Sequence, residues 1–114
     1  MVKGLTILLA FIALSSTTCV KPQPVMTAQA ACAAATAKVT ARRSLPISHV
    51  AVCDDIAEAD GPEGFYVMAL LAHCSEAVCG STNMGWFAVE KATGDVFDWD
   101  VAEWKLGPLV AEGV

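Results

Sequence analysis

The chain has 114 residues, 55% of them apolar, 17% charged and 7% aromatic, and its formal net charge is −5. This length allows one domain, which excludes a two-domain enzyme. The polarity of most of the chain excludes a multispanning membrane protein, while five cysteines in so short a chain indicate an oxidising compartment.

The N-terminus has the pattern of an export signal. Lys3 supplies a positive charge, residues 5–14 form an apolar run, and residues 15–18 are small and polar. These are the parts of a secretory signal, which we predict over residues 1–18. Ten residues rise only about 15 Å as a helix, roughly half the bilayer core, so this run does not predict a transmembrane anchor.

Cys19 follows this segment directly and resembles the lipid-attachment cysteine of bacterial lipoproteins. Ser16 and Thr18 depart from that motif, which favours leucine and a smaller residue at these places. Cleavage after Ala30, or near Cys19 without lipid, is the alternative. We expect a periplasmic lipoprotein held in the membrane by several acyl chains on Cys19, the alternative being a soluble periplasmic or secreted protein.

The remaining four cysteines fit structural disulfides. Four cysteines allow three connectivities. Only four residues separate Cys74 from Cys79, a span that a tight loop can close, and this leaves Cys32 to pair with Cys53. The second bridge would tie a helix to a strand.

The mature chain begins with a tether and a helix. Two prolines favour an extended tether over residues 19–27, and Thr27 can cap the alanine-rich residues 28–43 as a helix. Arg42 and Arg43 suit its C-terminal end. Residues 28–114 form the predicted domain.

Four strands follow, predicted over residues 47–53, 65–74, 86–91 and 96–101. Acidic residues 54–64 and polar residues 75–84 are predicted loops, and residues 102–114 a loosely ordered tail apart from Trp104. The fold class is therefore α+β: one N-terminal helix packed on a four-stranded antiparallel sheet.

The last two strands form the clearest hairpin, because Gly94 stands where its turn needs a left-handed residue. Alternation places Phe97 and Trp99, with Val101, on one face. It places Asp98 and Asp100, with Val96, on the other face, which we expect to be solvated.

Catalytic and metal-binding candidates are few. His49 and His73 each lie in a predicted strand, where a packing or edge role is the simpler interpretation. A Cys–His nucleophile pair is the enzymatic alternative, but paired cysteines in an oxidising compartment argue against a free thiolate. We predict no enzyme, catalytic residue or cofactor.

Two patterns that suggest metal ligands also fail on spacing. His73 with Cys74 and Cys79 lacks the usual zinc spacing. Asp95, Asp98 and Asp100 lack the glycine and glutamate of a calcium loop. We therefore predict no metal site.

Charge is divided along the chain. All twelve acids follow residue 43, where Lys91 and Lys105 are the only lysines or arginines. The basic end suits an anionic lipid surface, and the acidic body suits a basic protein partner. An acidic body also argues against nucleic acid.

The loop after Cys79 is the predicted contact with a partner. A disulfide at its root and glycines at both ends would hold it in order, which reduces the entropy lost on docking. Its hydroxyl, amide and thioether side chains offer polar and adaptable contacts: Ser81, Thr82, Asn83 and Met84.

Residues 65–101 resemble those of small exported bacterial proteins. The shared pattern is an apolar strand, a loop flanked by cysteines and a hairpin, here GWFAVEKATGDV over residues 85–96. Some of these proteins are immunity proteins against amidase toxins of type VI secretion, and others are uncharacterised envelope lipoproteins. The hairpin is also similar to that of PepSY-type inhibitory domains. The resemblance implies a partner-binding role for the loop at 81–84.

These patterns together predict an exported, non-enzymatic envelope protein that binds another protein. The expected partner is a basic cell-wall amidase or another periplasmic hydrolase, which this chain would inhibit as an immunity factor. The alternative is a structural envelope lipoprotein without an inhibitory role.

Overall fold

A computed structural model describes residues 23–111, in which one helix packs on a five-stranded antiparallel sheet of order β1-β2-β3-β4-β5. The helix is α1 (Ala28–Arg42), and the strands are β1 (Val50–Asp55), β2 (Phe65–Ala72), β3 (Asn83–Glu90), β4 (Val96–Asp100) and β5 (Lys105–Leu109). The predicted α+β class is confirmed, with one strand more than predicted. The predicted signal peptide over residues 1–18 and the lipidation site Cys19 lie outside the described residues.

Helix α1 forms where alanine dominates and begins at a polar cap. The Thr27 hydroxyl accepts a hydrogen bond from the Ala30 amide at 3.0 Å, which satisfies one of the free amides of the first turn. Ala31, Ala35 and Val39 are buried against the sheet, and their i, i+4 spacing places them on one helix face. No helix of the described residues is long and apolar enough to cross a membrane.

Removal of this cap should cost stability. We expect Thr27→Ala to lower the free energy of unfolding by about 1 kcal/mol, because the helix loses its side-chain acceptor. Thr27→Ser keeps that acceptor and serves as the matched control. Urea unfolding followed by circular dichroism measures both, and equal loss in the two variants would show that the hydroxyl does not act as a cap.

The face of the sheet that meets α1 holds the main core. β2 contributes Tyr66, Met68 and Leu70, and β3 contributes Phe87 and Val89. Register pairs Tyr66 with Val89 and Met68 with Phe87, so large side chains of neighbouring strands stand side by side. The small alanine side chains of α1 allow the helix to lie close to these residues.

β1 begins later than the predicted residues 47–53. A 3-10 turn, Ile47–His49, precedes it, and the His49 amide donates to the Pro46 carbonyl at 2.9 Å. Proline fixes its own φ and thereby favours such a turn immediately after it. The strand then continues through Asp54 and Asp55, beyond its predicted end.

The described part of the predicted tether over residues 19–27 belongs to the packed domain. The Gln23 amide donates to the Thr93 carbonyl at 3.0 Å, and the Val25 amide donates to the Lys91 carbonyl at 2.9 Å. The Val25 side chain is buried. Residues 23–25 therefore lie along the β3–β4 hairpin and do not form a free linker.

The turn of this hairpin contains a left-handed glycine at the predicted position. Gly94 has a φ of +77°, and a Cβ atom at this position would lie 2.5 Å from the Gln23 carbonyl oxygen. The turn and the docked N-terminal segment therefore both require glycine here.

The predicted loose tail contains strand β5, so this prediction is wrong over residues 105–110. β5 pairs with β4, the Val110 amide donates to the Val96 carbonyl at 2.7 Å, and Val110 is buried. Gly107 and Pro108 have low strand propensity, so the sequence does not predict a strand here. An edge strand tolerates proline, and Gly107 lies so close to Asp98 that a Cβ would be 3.0 Å from the Asp98 carbonyl oxygen.

The two faces of β4 are the reverse of the expected arrangement. Phe97 and Trp99 share a face, as predicted, but this face points away from α1. Val96 is buried under α1, and the half-buried Asp98 shares a cleft of about 220 Å³ with Arg42 at the end of the helix and with the C-cap residue Arg43. The prediction of a solvated face for Asp98 is therefore wrong, because the helix covers that side of the sheet.

Candidate functional site

The predicted partner loop is held by its own side chains. The Ser81 hydroxyl accepts from the Asn83 amide at 3.3 Å, and the Asn83 side-chain oxygen accepts from the Gly85 amide at 2.7 Å. Thr82 is half-buried, and its carbonyl accepts from the Ala72 amide at 2.8 Å. Ser81 and Asn83 are exposed, so they remain accessible to a partner.

The predicted loop ends two residues earlier than expected, because Asn83 and Met84 form the start of β3. Met84 also has a different environment from Ser81 and Thr82. Its half-buried side chain packs against the core under α1, and its carbonyl accepts from the Arg43 guanidinium at 2.9 Å. The contacts of Met84 therefore join the loop to the helix.

Two disulfides hold this domain, and they are the pairs that the cysteine spacing favours. Cys32 of α1 is bonded to Cys53 of β1, with their Cα atoms 6.0 Å apart. Cys74 is bonded to Cys79 beyond the end of β2, with a Cα separation of 6.1 Å. The first bridge packs beside the main core, whereas residues 74–78 of the second are exposed.

The two histidines lie near each other at the same end of the sheet. The His73 amide donates to the His49 carbonyl at 3.0 Å. His73 follows the end of β2 and is exposed, and His49 ends the 3-10 turn before β1. Within residues 23–111 every cysteine is in a disulfide, and no group of three or more potential metal ligands occurs.

The three aspartates of the rejected calcium pattern have different environments in the structure. Asp95 is exposed in the hairpin turn, and Asp98 lies in the cleft beneath α1. One Asp100 carboxylate oxygen accepts from the Glu103 amide at 2.9 Å. Asp100 thereby holds the turn between β4 and β5.

The sheet face opposite α1 is an apolar, aromatic surface, which we call the open face. At its centre lie Val67, Ala88 and Trp99, with Phe65, Trp86 and Ile56 packed around them. Phe65 and Phe97 meet edge to face, with ring centroids 6.0 Å apart. All three tryptophans of the chain lie on this surface, because Trp104 packs against Trp99.

The border of the open face exposes large apolar side chains. Leu106 pairs with Trp99 and Leu109 with Phe97 across β4 and β5, so both leucines belong to this face. Leu109 is 53% exposed and Trp104 46%. Exposed large apolar side chains that share one face are typical of interaction sites.

Trp99 carries a buried donor without an acceptor. Its side chain is 6% exposed, and its indole Nε1–H has no hydrogen-bond partner among the described residues. A buried unpaired donor costs about 1–3 kcal/mol. Trp104 packs edge to face on Trp99 with ring centroids 5.3 Å apart. The Trp104 backbone has a φ of +56°, a strained conformation for a bulky residue.

Negative charge borders the open face. Residues 54–63 carry five of the twelve acids, and this segment is held against the face by Ile56 and by Gly61, which approaches Val67. Asp54 and Glu90 lie on the face itself, opposite Ala69 and Phe65 in the sheet register. Lys38 and Arg42 of α1, and Arg43 at its C-cap, lie on the other side of the sheet.

Lys91 is committed to contacts within the fold. It pairs with Glu58 and lies over the Tyr66 ring, 4.8 Å from the ring centroid. The hydrogen bond with Glu58 raises the pKa of Lys91. This lysine therefore forms an ion pair with one acid of the 54–63 segment, Glu58.

A separate groove of about 690 Å³ lies between residues 23–25, α1 and the β3–β4 turn. Ala30, Ala34 and Ala37 form its helix wall, and Thr93 and Gly94 form part of the opposite wall. Small side chains dominate its helix wall, and Gln23, Lys38 and Asp95 supply polar and charged groups at its border. The open face is the stronger candidate for a functional surface.

Comparison with models of known protein families, with curated proteins and with solved structures gives no match for this chain.

The open face does not follow from the sequence patterns. These patterns place Phe97 and Trp99 on one strand face, which is confirmed, and predict that the opposite face is solvated, which is wrong for Asp98. One signal was available: β2 is apolar at both odd and even positions from Tyr66 to Leu70. A strand that is apolar on both faces predicts a sheet whose two faces are each either buried within the fold or available to a partner.

Proposed function

We propose that this chain is an exported envelope protein that binds another protein, and that it acts as an inhibitor or immunity factor for a cell-wall hydrolase. The observation that carries this proposal is the open face, an aromatic surface exposed at its border and flanked by acids. Aromatic side chains supply much of the binding energy of protein interfaces. The acidic border speeds the encounter with a basic partner.

The predicted loop extends this surface. Asn83 lies opposite Leu71 in the sheet register, at the end of β2 where the loop meets the strands. The side chains of Ser81 and Asn83 already hold the loop in one conformation through the backbone amides that they accept from. A partner that covers the open face would then contact Ser81 and Asn83 without having to order them.

Export is supported by the two disulfides, since such bonds persist in oxidising compartments. The periplasm as the location, and lipid on Cys19 as the anchor, are parts of the proposal that rest on the sequence of residues 1–19. Mass spectrometry of the protein purified from membranes tests them. An acylated Cys19 is the expected result, and an unmodified N-terminus beyond residue 19 would contradict it.

Inhibition assays with matched variants test the proposed function. The assay measures hydrolysis of purified cell wall by the periplasmic amidase encoded nearest to this chain. We expect wild-type protein to inhibit the amidase and Leu109→Glu to inhibit it about tenfold less, since a carboxylate on the open face costs binding energy. Val78→Glu is the control, because Val78 is 86% exposed and lies in the Cys74–Cys79 loop.

Two outcomes would count against this proposal. Equal inhibition by the Leu109→Glu and Val78→Glu variants would show that the open face is not the interface. Absence of inhibition by wild-type protein would favour a structural lipoprotein. A Ser81→Ala, Asn83→Ala double variant adds the loop to the test, and we expect it to inhibit more weakly than wild type.

A further inference from the structure

Two unusual features of the open face coincide at one point. Trp99 is 6% exposed, and its indole Nε1–H has no acceptor within residues 23–111. Trp104, which packs on the Trp99 ring, is 46% exposed and has a left-handed backbone at φ +56°. A buried donor without a partner and a strained, half-exposed aromatic cover are the properties of a site that is completed by a ligand.

We propose that Trp99 and Trp104 form a subsite for an extended basic segment of the partner protein, an inference that rests on the proposed function and names the chemistry of its partner. A backbone carbonyl of that segment accepts the Trp99 Nε1–H, which is buried in the free protein and is uncovered when the segment binds. An arginine or lysine side chain of the same segment lies on the exposed face of Trp104, where a cation is attracted to the indole ring.

Charge around the subsite supports a cationic ligand. Glu103 precedes Trp104, and Asp100 bonds the Glu103 amide, so two carboxylates lie in this turn. Lys105 follows Trp104 and is paired with Asp100 in the sheet register, which leaves the turn with a net charge of −1. Acids from residues 54–63 add to the negative potential at the opposite border of the open face.

The same charges argue against two other occupants. A second copy of this chain would bring its own acidic border against this one, and like charges oppose such a contact. A membrane surface offers an apolar interface for tryptophan, but its anionic headgroups would be repelled by the acids that border the open face. A basic protein segment satisfies both the aromatic and the acidic parts of the surface.

Binding of short synthetic peptides to the purified full chain tests this subsite. The probe is a peptide that alternates arginine with valine, and its control alternates glutamate with valine. We expect the arginine peptide to change the tryptophan fluorescence of the protein and the glutamate peptide to leave it unchanged. Equal binding of the two peptides would overturn the proposal, because charge would then play no part.

Variants separate the two tryptophans. Trp99→Phe keeps an aromatic ring and removes the N–H, so we expect about tenfold weaker peptide binding. Trp104→Ala removes the cation site and should weaken binding by a similar factor. Met26→Ala is the control, since Met26 is 82% exposed outside the open face. Unchanged peptide affinity in both tryptophan variants would overturn the subsite.

Two further measurements decide between occupants and between proposals. If sedimentation shows a dimer that Trp104→Ala dissociates, the occupant of the subsite is a second copy of this chain. If the protein binds phosphatidylglycerol vesicles and Trp104→Ala abolishes this binding, the occupant is a membrane. Either result would overturn the proposal of a basic segment. Amidase inhibition that survives Trp99→Phe and Trp104→Ala would overturn the subsite and leave the proposed function intact. Peptide binding without amidase inhibition would retain the subsite and reject the inhibitor function.

Discussion

Replacing both Cys32 and Cys53 by alanine is expected to lower the free energy of unfolding by about 3 kcal/mol, the value typical of a disulfide that closes a loop of this size. The bridge joins residues 21 apart in the sequence and links α1 to β1 beside the main core. Loss of this bridge raises the conformational entropy of the unfolded chain, and it also removes the covalent link between the edge strand β1 and the helix. Urea unfolding of the oxidised protein measures the difference.

The second disulfide provides the matched control. Cys74 and Cys79 are only 5 residues apart, and their loop projects from the sheet with residues 74–78 exposed. We expect the Cys74→Ala, Cys79→Ala double variant to lose clearly less stability than the Cys32→Ala, Cys53→Ala variant. A larger loss from the 74–79 pair would show that the exposed loop, and not the bridge from helix to strand, limits the stability of the domain.

Gly94→Ala should destabilise the protein by roughly 3 kcal/mol through two additive effects. The residue has a φ of +77°, which an L side chain adopts only with strain. Its new Cβ would also lie 2.5 Å from the Gln23 carbonyl oxygen, so residues 23–25 would have to move. Hydrogen exchange of the Gln23 and Val25 amides, which donate to Thr93 and Lys91, reports this movement directly.

Gly64 separates the two effects. Its φ of +86° is as strained for alanine, but no atom lies within 4 Å of a Cβ built there. Gly64→Ala should therefore cost only the backbone term, about 1–2 kcal/mol, and leave exchange at Gln23 and Val25 unchanged. Similar exchange in the two variants would show that Gly94 does not control docking of the N-terminal segment.

Local chemistry made much of this fold predictable. The alanine content and the Thr27 cap predicted the start of α1 correctly and its end to within one residue. Gly94 predicted the position of the hairpin turn. Cysteine spacing favoured the two disulfides that the structure contains. The helix, the turn and the Cys74–Cys79 bridge depend on residues close together in the sequence, where propensity and loop closure act directly, and the Cys32–Cys53 bridge then follows by elimination.

The parts that escaped prediction depend on long-range packing. β5 pairs with β4 although Gly107 and Pro108 disfavour a strand locally, because tertiary contacts around Val110 outweigh propensity. The side of the sheet that α1 covers could not be predicted from an alanine-rich helix, whose faces differ little in hydrophobicity. The open face was therefore missed, whereas the loop at 81–84 could be proposed as a partner contact from contiguous residues alone.

The docking of Gln23 against the β3–β4 turn limits how far a lipid on Cys19 could let this domain stand from a bilayer. Only three residues separate Cys19 from Gln23, and four fully extended residue steps reach at most about 14 Å. An acylated chain would thus hold the hairpin turn close to the headgroups and restrict the domain to a small range of tilts. A hydrolase could then be captured only within one domain's height of the membrane, whereas enzyme farther out in the periplasm would escape.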